Sequence, residues 1–389
     1  MSFELKALKD ICTIQIGKTP SRHENDYWRD GTHAWLSIAD MNQGRYLNNT
    51  KECITDLGVK ASNIKLIPKN TLVLSYKLSI GKVGITQKPM YTNEAIASLT
   101  ELDSQVDINY LYWALQHIDL LENADRAAMG KTLNKAKLSE VKIPLPPLAE
   151  QRRIASILDQ ADDLRQKRQQ AIEKLDQLLQ ATFIDMFGDP VSNPKGWDLK
   201  SVGEISESKL GKMLDKKKQS SENDQYKYLR NANVQWFRFD LSDVFEMEFN
   251  EKDRKNCELK FGDILVCEGG EPGRAAIWKN DLENCFFQKA LHRVRLDMTQ
   301  ILPEYFVWLF WFYSKNGGFD DHITVATIAH LTGVKMKAMQ IPIPPLSLQE
   351  EFQQKVNEIE VLKTTLENSS KLFERLFSSL QNQAFNGTL

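Results

Sequence analysis

The sequence predicts an α+β protein in which two pseudo-symmetric mixed α/β domains are separated by two long helices. The hexapeptide IPLPPL at 143–148 returns as IPIPPL at 341–346. Each copy is followed at once by a long helical pattern, and the apolar positions of the two patterns stay in register. Such agreement indicates an internal duplication, which must be recognised before any single element is assigned.

The two helical patterns are predicted to pair. Neither contains an internal proline or glycine, and Pro147 and Pro345 lie just upstream, where proline is tolerated. A helix over 150–187 would be about 57 Å long at ~1.5 Å per residue. Apolar residues at heptad spacing are typical of a coiled-coil face, so we predict an antiparallel coiled coil; the plainer alternative is two core helices of one large domain. In the first helix this face is made of three rows: Ile157, Leu164, Ala171 and Leu178; Leu158, Ile172, Leu179 and Met186; and Ala161 and Leu175.

The segments between and around these helices define four predicted regions. The first domain is expected to contain strands within HAWLSIADM, NTLVLSY and GKVGITQ and a helix over 109–124. The regions are a first domain at 1–142, a Pro-rich turn and helix at 143–190, a second domain at 191–340, and a second turn and helix at 341–389.

The second domain repeats the order of the first, whereas the loops differ in length and charge. LKSVGEISESKLGK corresponds to LKALKDICTIQIGK, YLRNANVQ to WLSIADMN, and DILVCEGGEPGRAAI to TLVLSYKLSIGKVGI. Two copies of one fold with unlike loops are expected to recognise two unlike targets. The correspondences pair Lys18 with Lys212, Lys82 with Arg274, and Trp113 with Trp308.

Composition limits the class of protein. At 389 residues the chain is long enough for two domains, and 42% hydrophobic and 26% charged residues are typical of a soluble globular protein. No apolar run is long enough to cross a bilayer, and the N-terminus has no signal core. The five cysteines have no CxxC spacing, which favours reduced thiols in the cytoplasm. A net charge of −2 disfavours a protein that coats nucleic acid without specificity, so DNA contacts would come from local loops.

The sequence contains no recognisable set of catalytic residues. Gly17-Lys18-Thr19 and Gly130-Lys131-Thr132 resemble the end of a phosphate-binding loop, but its first glycine is replaced by Cys12 and Asp125. There is no methyltransferase tetrapeptide, the fragment Glu258-Leu259-Lys260 lacks a nuclease partner motif, and the six histidines have no ligand spacing. We therefore predict a binding protein without enzymatic activity, cofactor or metal.

The whole chain resembles the specificity (S) subunit of type I restriction–modification systems. The resemblance is carried by the two PPL-x-x-Gln helix starts, as in IPLPPLAEQRRI, and by the opening loop GKTPSRHENDYWRDGTHAWL. It implies two target-recognition domains, each binding one half of a split, asymmetric DNA sequence. It further implies that the helices set the spacer and dock two modification (methyltransferase) subunits, which restriction (translocase–nuclease) subunits then join. The second domain has LGKML where the first has IGKTP, so its target cannot be inferred from the first.

The candidate DNA contacts are loop residues able to bind phosphates or base edges. Gly81-Lys82 and Gly273-Arg274 are favoured because a glycine turn with a cation occurs in both copies. In the competing hypothesis, the chain is a coiled-coil scaffold whose globular ends bind proteins, and these are solvated surface residues. The candidates are Lys18, Thr19, Ser21, Arg22, Lys77, Lys82, Arg126, Lys131 and Asn134 in the first domain, and Lys212, Lys216, Lys217, Lys218, Arg230, Arg274, His330, Thr332 and Lys335 in the second.

Overall fold

The computed structural model describes residues 3–120, 125–127, 130–213, 225–321, 324–325 and 329–389, with the backbone alone at 125–127, 130–132, 324–325 and 329. The chain forms two compact units. Unit 1 comprises Met1–Gln169 and Asn368–Leu389, and unit 2 comprises Gln170–Glu367. Each long helix therefore belongs partly to one unit and partly to the other.

Unit 1 contains the elements up to the start of the first long helix, together with short 3₁₀ helices at Asn25–Tyr27 and Asp40–Gln43. Its strands are β1 (Leu5–Ala7), β2 (Thr13–Ile16), β3 (His33–Leu36), β4 (Tyr46–Leu47), β5 (Glu52–Ile54), β6 (Leu72–Ser75), β7 (Val83–Thr86), β8 (Tyr91–Thr92), β9 (Ile96–Thr100), β10 (Asp125–Ala127), β11 (Gly130–Thr132) and β12 (Lys142–Pro144). Its helices are α1 (Leu8–Ile11), α2 (Asp56–Ser62), α3 (Ile108–His117), α4 (Lys135–Ser139) and α5 (Leu148–Phe187), the last continuing into unit 2.

A five-stranded sheet of order β2-β9-β6-β7-β4 forms the centre of unit 1. Strand β9 is antiparallel to both β2 and β6, so β2 and β6 run in the same direction and end at the same edge. A second sheet has the order β5-β3-β8, and β1 pairs with β12, which joins the start of the domain to the segment shortly before the long helix. All four residues of β6 are buried, which its continuous LVLS run favours. The strands predicted in three segments are thereby confirmed as β3, β6 and β7.

The predicted helix over 109–124 is shorter than expected. Asp107 caps its start by accepting hydrogen bonds from the amides of Asn109 and Tyr110, and α3 ends at His117. Ile118 has extended backbone (φ −72°, ψ 130°), which ends the helix although the apolar periodicity continues. The Trp113 side chain is 1% exposed, so its prediction as a core residue is confirmed.

Unit 2 contains the corresponding elements and a 3₁₀ helix at Asn231–Asn233. Its strands are β13 (Asp198–Ser201), β14 (Ser206–Leu210), β15 (Gln225–Leu229), β16 (Val234–Gln235), β17 (Arg238–Phe239), β18 (Phe245–Glu248), β19 (Ile264–Cys267), β20 (Ala275–Ile277), β21 (Phe286–Phe287), β22 (Leu291–Leu296), β23 (Thr324–Val325), β24 (Ala329–His330) and β25 (Gln340–Ile343). Its helices are α6 (Glu251–Cys257), α7 (Pro303–Lys315), α8 (Gly333–Ala338) and α9 (Leu346–Asn386), the last ending in unit 1.

The strand topology of unit 2 repeats that of unit 1. Its four-stranded sheet, β14-β22-β19-β20, has the antiparallel pairing of β2-β9-β6-β7. The sheet β18-β15-β21 matches β5-β3-β8, with one antiparallel and one parallel pair in each. Pairing of β13 with β25 matches that of β1 with β12. The duplication inferred from the sequence is therefore present in the fold, with α7 equivalent to α3 and a buried Trp308.

The two long helices run antiparallel within each unit, as predicted. In unit 1, Arg168 Nη1 donates to Ser369 O (3.4 Å), and Arg153 Nη2 donates to Leu389 O (2.9 Å). In unit 2, Lys363 Nζ lies 2.7 Å from Asp176 Oδ1. The Phe183 and Phe352 rings of the same unit are centred 5.5 Å apart. As residue numbers rise along α5, those of the partners on α9 fall.

Only part of the predicted apolar stripe of α5 is buried. Leu164 and Leu178 of its first row are 50% and 51% exposed, whereas Leu158 and Leu179 of its second row are 0% and 1% exposed. Burial is confined to the two ends of the helix because there α5 packs against a globular domain as well as against α9. Residues 163–178 of α5 and 360–376 of α9 contain no buried side chain.

Candidate nucleic-acid interface

Four segments of unit 1 meet at one edge of the central sheet. Lys18, two residues after β2, donates its amide to Thr92 O (2.9 Å), and Tyr76, directly after β6, donates its amide to Ala95 O (3.0 Å). Leu133, before α4, donates to Tyr76 O (3.2 Å). We call this region edge 1, comprising residues 17–22, 37–43, 76–82 and 133–134. The parallel direction of β2 and β6 explains why these loops lie together.

The same backbone contacts occur in unit 2. Lys212 donates to Phe287 O (3.2 Å), and Glu268 donates to Ala290 O (2.9 Å). Leu331 donates to Glu268 O (2.7 Å). We call this region edge 2, comprising residues 211–213, 230–235, 268–274 and 330–332. Its backbone matches edge 1, while its side chains differ; Glu268, for example, takes the place of Tyr76.

A glycine precedes the lysine at both edges for a steric reason. A Cβ on Gly17 would collide with the carbonyl oxygens of Thr92 and Asn93. One on Gly211 would collide with Gln288 O. The close approach of these backbones requires glycine and explains why Gly-Lys occurs in both copies.

Edge 1 carries a cation held on two tryptophans. The Arg22 guanidinium carbon lies 3.7 Å from the Trp28 ring centre and 4.9 Å from that of Trp35. It also forms a bidentate pair with Glu52 (2.6 and 3.0 Å), and these hydrogen bonds lower the pKa of the Glu52 carboxyl. Trp35 Nε1 in turn donates to Lys18 O (3.0 Å). Arg22 and the Lys18 backbone are therefore joined in one preorganised cluster.

The two matched lysines have different environments. Lys18 is exposed and makes no side-chain hydrogen bond or ion pair within the described part of the chain. Lys212 is half-buried, with Nζ 2.8 Å from Asp253 Oδ2 and 2.5 Å from Glu248 O. Edge 1 thus exposes Lys18 at the position where, at edge 2, Lys212 is bonded to neighbouring residues.

Several other predicted residues have structural contacts of their own. Asn134 and Thr332 cap α4 and α8 by accepting the Lys137 and Lys335 amides (2.9 and 3.4 Å). Arg230 donates to Asp243 Oδ2 (2.7 Å), with its guanidinium 3.6 Å from the Phe245 ring centre. The remaining placements are as follows: Thr19 Oγ1 bonds the Glu94 carboxylate, Ser21 O accepts from Trp28 Nε1 (3.0 Å), Lys77 Nζ lies 5.4 Å from the Tyr76 ring centre, His330 is an exposed strand residue bridged to Gly269, and Lys335 is half-buried in α8.

Five predicted residues have side chains outside the described part of the structure. Arg126 and Lys131 are in the paired strands β10 and β11, but their side chains lie outside the described residues. The same holds for Lys216, Lys217 and Lys218 together with their backbone. All eighteen candidates stay predictions as DNA contacts.

Sequence reasoning missed the short 3₁₀ helices of the two edges. In unit 1, Asp40 accepts the Ser37 amide through Oδ2 (2.8 Å); in unit 2, Asn233 accepts the Arg230 amide through Oδ1 (2.9 Å). An Asp or Asn placed four residues after a strand end, and so three after the amide that it caps, is the local signal for such a turn. The 3₁₀ helices Asp40–Gln43 and Asn231–Asn233 lie in equivalent segments of the two edges and overlap at the capping residues Asp40 and Asn233.

The described residues contain neither a metal-binding cluster nor a membrane-spanning helix. They contain no group of three or more His, Cys, Asp and Glu side chains that could hold a metal ion. Within the same part of the chain, no helix is long and apolar enough to cross a membrane.

Two copies of one fold, each with differently charged loops at the same sheet edge, define a duplicated protein with two related but unlike candidate sites. The model of the type I restriction modification DNA specificity domain matches residues 2–174 and 194–372. The chain belongs to this family.

Among curated relatives, the MjaIX type I restriction enzyme specificity subunit of Methanocaldococcus jannaschii is 29% identical over 248 residues, which cover 59% of this chain. The EcoR124I/EcoR124II specificity subunit of Escherichia coli is 31% identical over 169 residues, covering 41% of this chain. The matches span 57% and 41% of the length of these two relatives.

Solved structures show the same fold at low sequence identity. A structure described as the basis of complex assembly and conformational transition of the type I R-M system has a TM-score of 0.63 at 15% identity, covering 100% of this chain and 98% of that one. The type I restriction–modification S subunit from M. genitalium has a TM-score of 0.57 at 14% identity, covering 99% and 96%.

Proposed function

We propose that this chain is the DNA sequence-specificity subunit of a type I restriction–modification complex. In this proposal edge 1 and edge 2 each bind one half of a split, asymmetric duplex site. The observation that supports it is the equivalence of the two edges in backbone and their difference in side chains. Equivalent backbones would approach DNA in the same way, while different side chains would select different bases.

The proposal assigns no chemistry to this chain. The lysines and arginines of the edges are engaged in hydrogen bonds, ring contacts or exposed positions, and the thiols of Cys12, Cys267 and Cys285 have pKa values raised by burial to about 12, 11 and 12. Such thiols are poor nucleophiles at neutral pH. Methyl transfer and cleavage would be the work of the modification and restriction subunits, and the complex would act in the cytoplasm.

The exposed middle of each long helix supports the proposed docking of two modification subunits. Leu164 on α5 and Leu376 on α9 are 50% and 57% exposed in unit 1. Leu178 and Leu362 are 51% and 54% exposed in unit 2. The two pairs are matched through the duplication, so each unit exposes an equivalent pair of leucines on its helices, which we take as its docking surface. Two equivalent surfaces would bind two copies of the same partner.

The proposal is tested by DNA binding with the cognate modification subunits present. Methylated motifs mapped in cells that carry this gene and its partners should be bipartite and asymmetric. Affinity for the mapped duplex should fall steeply with salt, because bound cations release counterions from the phosphates. Random duplex that competes as well as the mapped site at every salt concentration would refute the proposal and favour a protein-binding scaffold. Exchanging residues 1–142 for those of another family member should change one half of the motif.

A further inference from the structure

The cation of the glycine turn in unit 1 is bonded to the neighbouring 3₁₀ helix. The turn itself is closed by two backbone bonds of 2.9 Å, from Gly81 N to Ser75 O and from Ser75 N to Lys82 O. Lys82 Nζ then donates to Asn42 Oδ1 (2.6 Å) and reaches Ile38 O (3.4 Å). The lysine thus joins the loop after β6 to the loop after β3.

Unit 2 repeats this arrangement with arginine in place of lysine. Gly273 N donates to Cys267 O (3.0 Å), and Cys267 N donates to Arg274 O (2.8 Å). Arg274 Nη2 donates to Asn231 O (2.9 Å), and its Nη1 lies 3.3 Å from Glu271 Oε2. Both glycines have positive φ (95° and 87°), which places the next side chain over the 3₁₀ helix.

The two cations bond the same carbonyl of the duplicated fold. In unit 1 the accepting carbonyl belongs to Ile38, which follows Ser37, the residue whose amide is capped by Asp40. In unit 2 it belongs to Asn231, which follows Arg230, the residue whose amide is capped by Asn233. Agreement at this level in two copies with unlike loops indicates that the contact has a role common to both edges. We call the Lys82–Ile38 and Arg274–Asn231 contacts the turn clamps.

Exposure distinguishes the clamps from the turns they hold. The Arg274 side chain is 17% exposed and both its terminal nitrogens have protein partners. By contrast Asn42 and Gln43 of the first turn and Ala232 of the second are exposed. Lys82 is partly exposed, but its Nζ is directed to the turn by two acceptors. Both turns therefore present residues to a ligand at the edges, while the clamp cations are bonded to the protein.

We propose that Lys82 and Arg274 are positioning residues, each of which holds the 3₁₀ turn of its unit in the orientation that contacts one half of the DNA site. The DNA step rests on the proposed function, whereas the clamp itself does not. The sequence favours Lys82 and Arg274 as direct DNA contacts; in this proposal they act through the turn and touch neither base nor phosphate.

The clamp is tested without DNA by hydrogen–deuterium exchange of the full-length protein. Lys82→Met should raise the exchange of amides 37–43 about tenfold, because a charge-assisted hydrogen bond to the turn is lost. Lys82→Arg should restore protection. Lys18→Met is the matched control, since that lysine lies at the same edge without contacting the turn. Arg274→Met and Arg274→Lys should behave in the same way at 230–235. Unchanged exchange in both Met variants would refute the clamp.

The role in recognition is tested by selecting sites from a pool of random duplexes with the complete complex. Lys82→Met should broaden the base preference in one half of the motif and Arg274→Met in the other, each by about tenfold, with rescue by the conservative variants. The salt dependence of affinity should keep its slope, because no phosphate contact is removed. A slope lowered by about one, or equal loss in both halves, would overturn the inference. A wild-type complex that selects no split motif would refute the proposed function and the DNA step together, and the exchange experiment would still decide the clamp.

Discussion

Gln151 and Gln349 make the same three hydrogen bonds at the starts of the two long helices. Both side chains are buried, at 1% and 0% exposure. Each amide nitrogen donates to two carbonyls, and each amide oxygen accepts one backbone N–H. The partners are Gln105 O, Pro146 O and Asp107 N for Gln151 (2.8, 2.8 and 2.9 Å), and Gln300 O, Pro344 O and Leu302 N for Gln349 (3.0, 2.9 and 2.8 Å). The glutamine of each PPL-x-x-Gln motif thereby fixes its helix to its own domain.

Replacing Gln151 with leucine should lower the free energy of unfolding by about 2–4 kcal/mol. The substitution fills most of the space but leaves two carbonyls and one amide without their partner in a buried place. Denaturant unfolding of the full-length protein measures the change. Gln160→Leu is the matched control, because Gln160 is an exposed glutamine of the same helix. Equal effects of the two substitutions would show that the three bonds do not stabilise the unit.

Glutamate at the exposed leucines should change the stoichiometry of assembly. In Leu164→Glu/Leu376→Glu, only the apolar surface of unit 1 acquires charge, so one modification subunit should be retained and one lost. Native mass spectrometry of the reconstituted complex would count the subunits. Gln177→Glu, at an exposed position beside Leu178, should leave both bound. Since these leucines are at least half exposed, the free energy of unfolding should change little, and retention of two partners would refute the docking surface.

Acid should destabilise unit 2 through His292. The ring is 3% exposed, and burial lowers its pKa against the opposing influence of Glu268. Below the ordinary value of 6.5 the unfolded chain therefore binds a proton that the folded unit does not bind. Stability should fall by up to about 1.4 kcal/mol per pH unit as pH decreases through this range. His292→Gln should flatten the decline measured by thermal unfolding between pH 7.5 and 5.5, whereas Gln at the exposed His23 should not.

Shortening both long helices together should shorten the spacer of the DNA site. Removing 166–172 and the opposing 369–375 takes one heptad from each helix, about 10.5 Å at 1.5 Å per residue. At ~3.4 Å per base pair, the preferred spacer should lose about three base pairs. Methylation mapping in cells that carry the shortened gene would measure it. A deletion from α5 alone should abolish assembly, because the antiparallel partners would no longer face each other. A spacer of unchanged length would show that the long helices do not set it.

The duplicated architecture could be predicted from sequence because its signals are local. Proline punctuation, the absence of internal Pro or Gly, and apolar periodicity identify long helices without knowledge of their neighbours. The correspondence of Lys18 with Lys212 could be predicted for a similar reason, because a close backbone approach requires the preceding glycine in both copies. The domain boundaries at 142, 190 and 340 remain predictions.

Contacts between distant segments could not be predicted in this way. Arg45 of unit 1 is bonded to Asp159 on α5 (2.5 Å) and lies 5.6 Å from the Trp113 ring centre. In unit 2, the matched Trp308 packs against Phe237 instead, at 4.4 Å between ring centres. An ion pair and an aromatic pair thus join equivalent surfaces. Periodicity cannot distinguish them, because it records that a face is buried and not what covers it. The same limit explains the exposed Leu164.

The division of the long helices between the units has a consequence for synthesis on the ribosome. Unit 2 is continuous from residue 170 to 367, so all of its chain is synthesised before residues 368–389. Unit 1 needs residues 368–389, which supply Phe377 and Phe385 to its core. Unit 1 leaves the exit tunnel before unit 2 but is completed after it, so nascent chains would hold an unfinished N-terminal core until residues 368–389 have been synthesised.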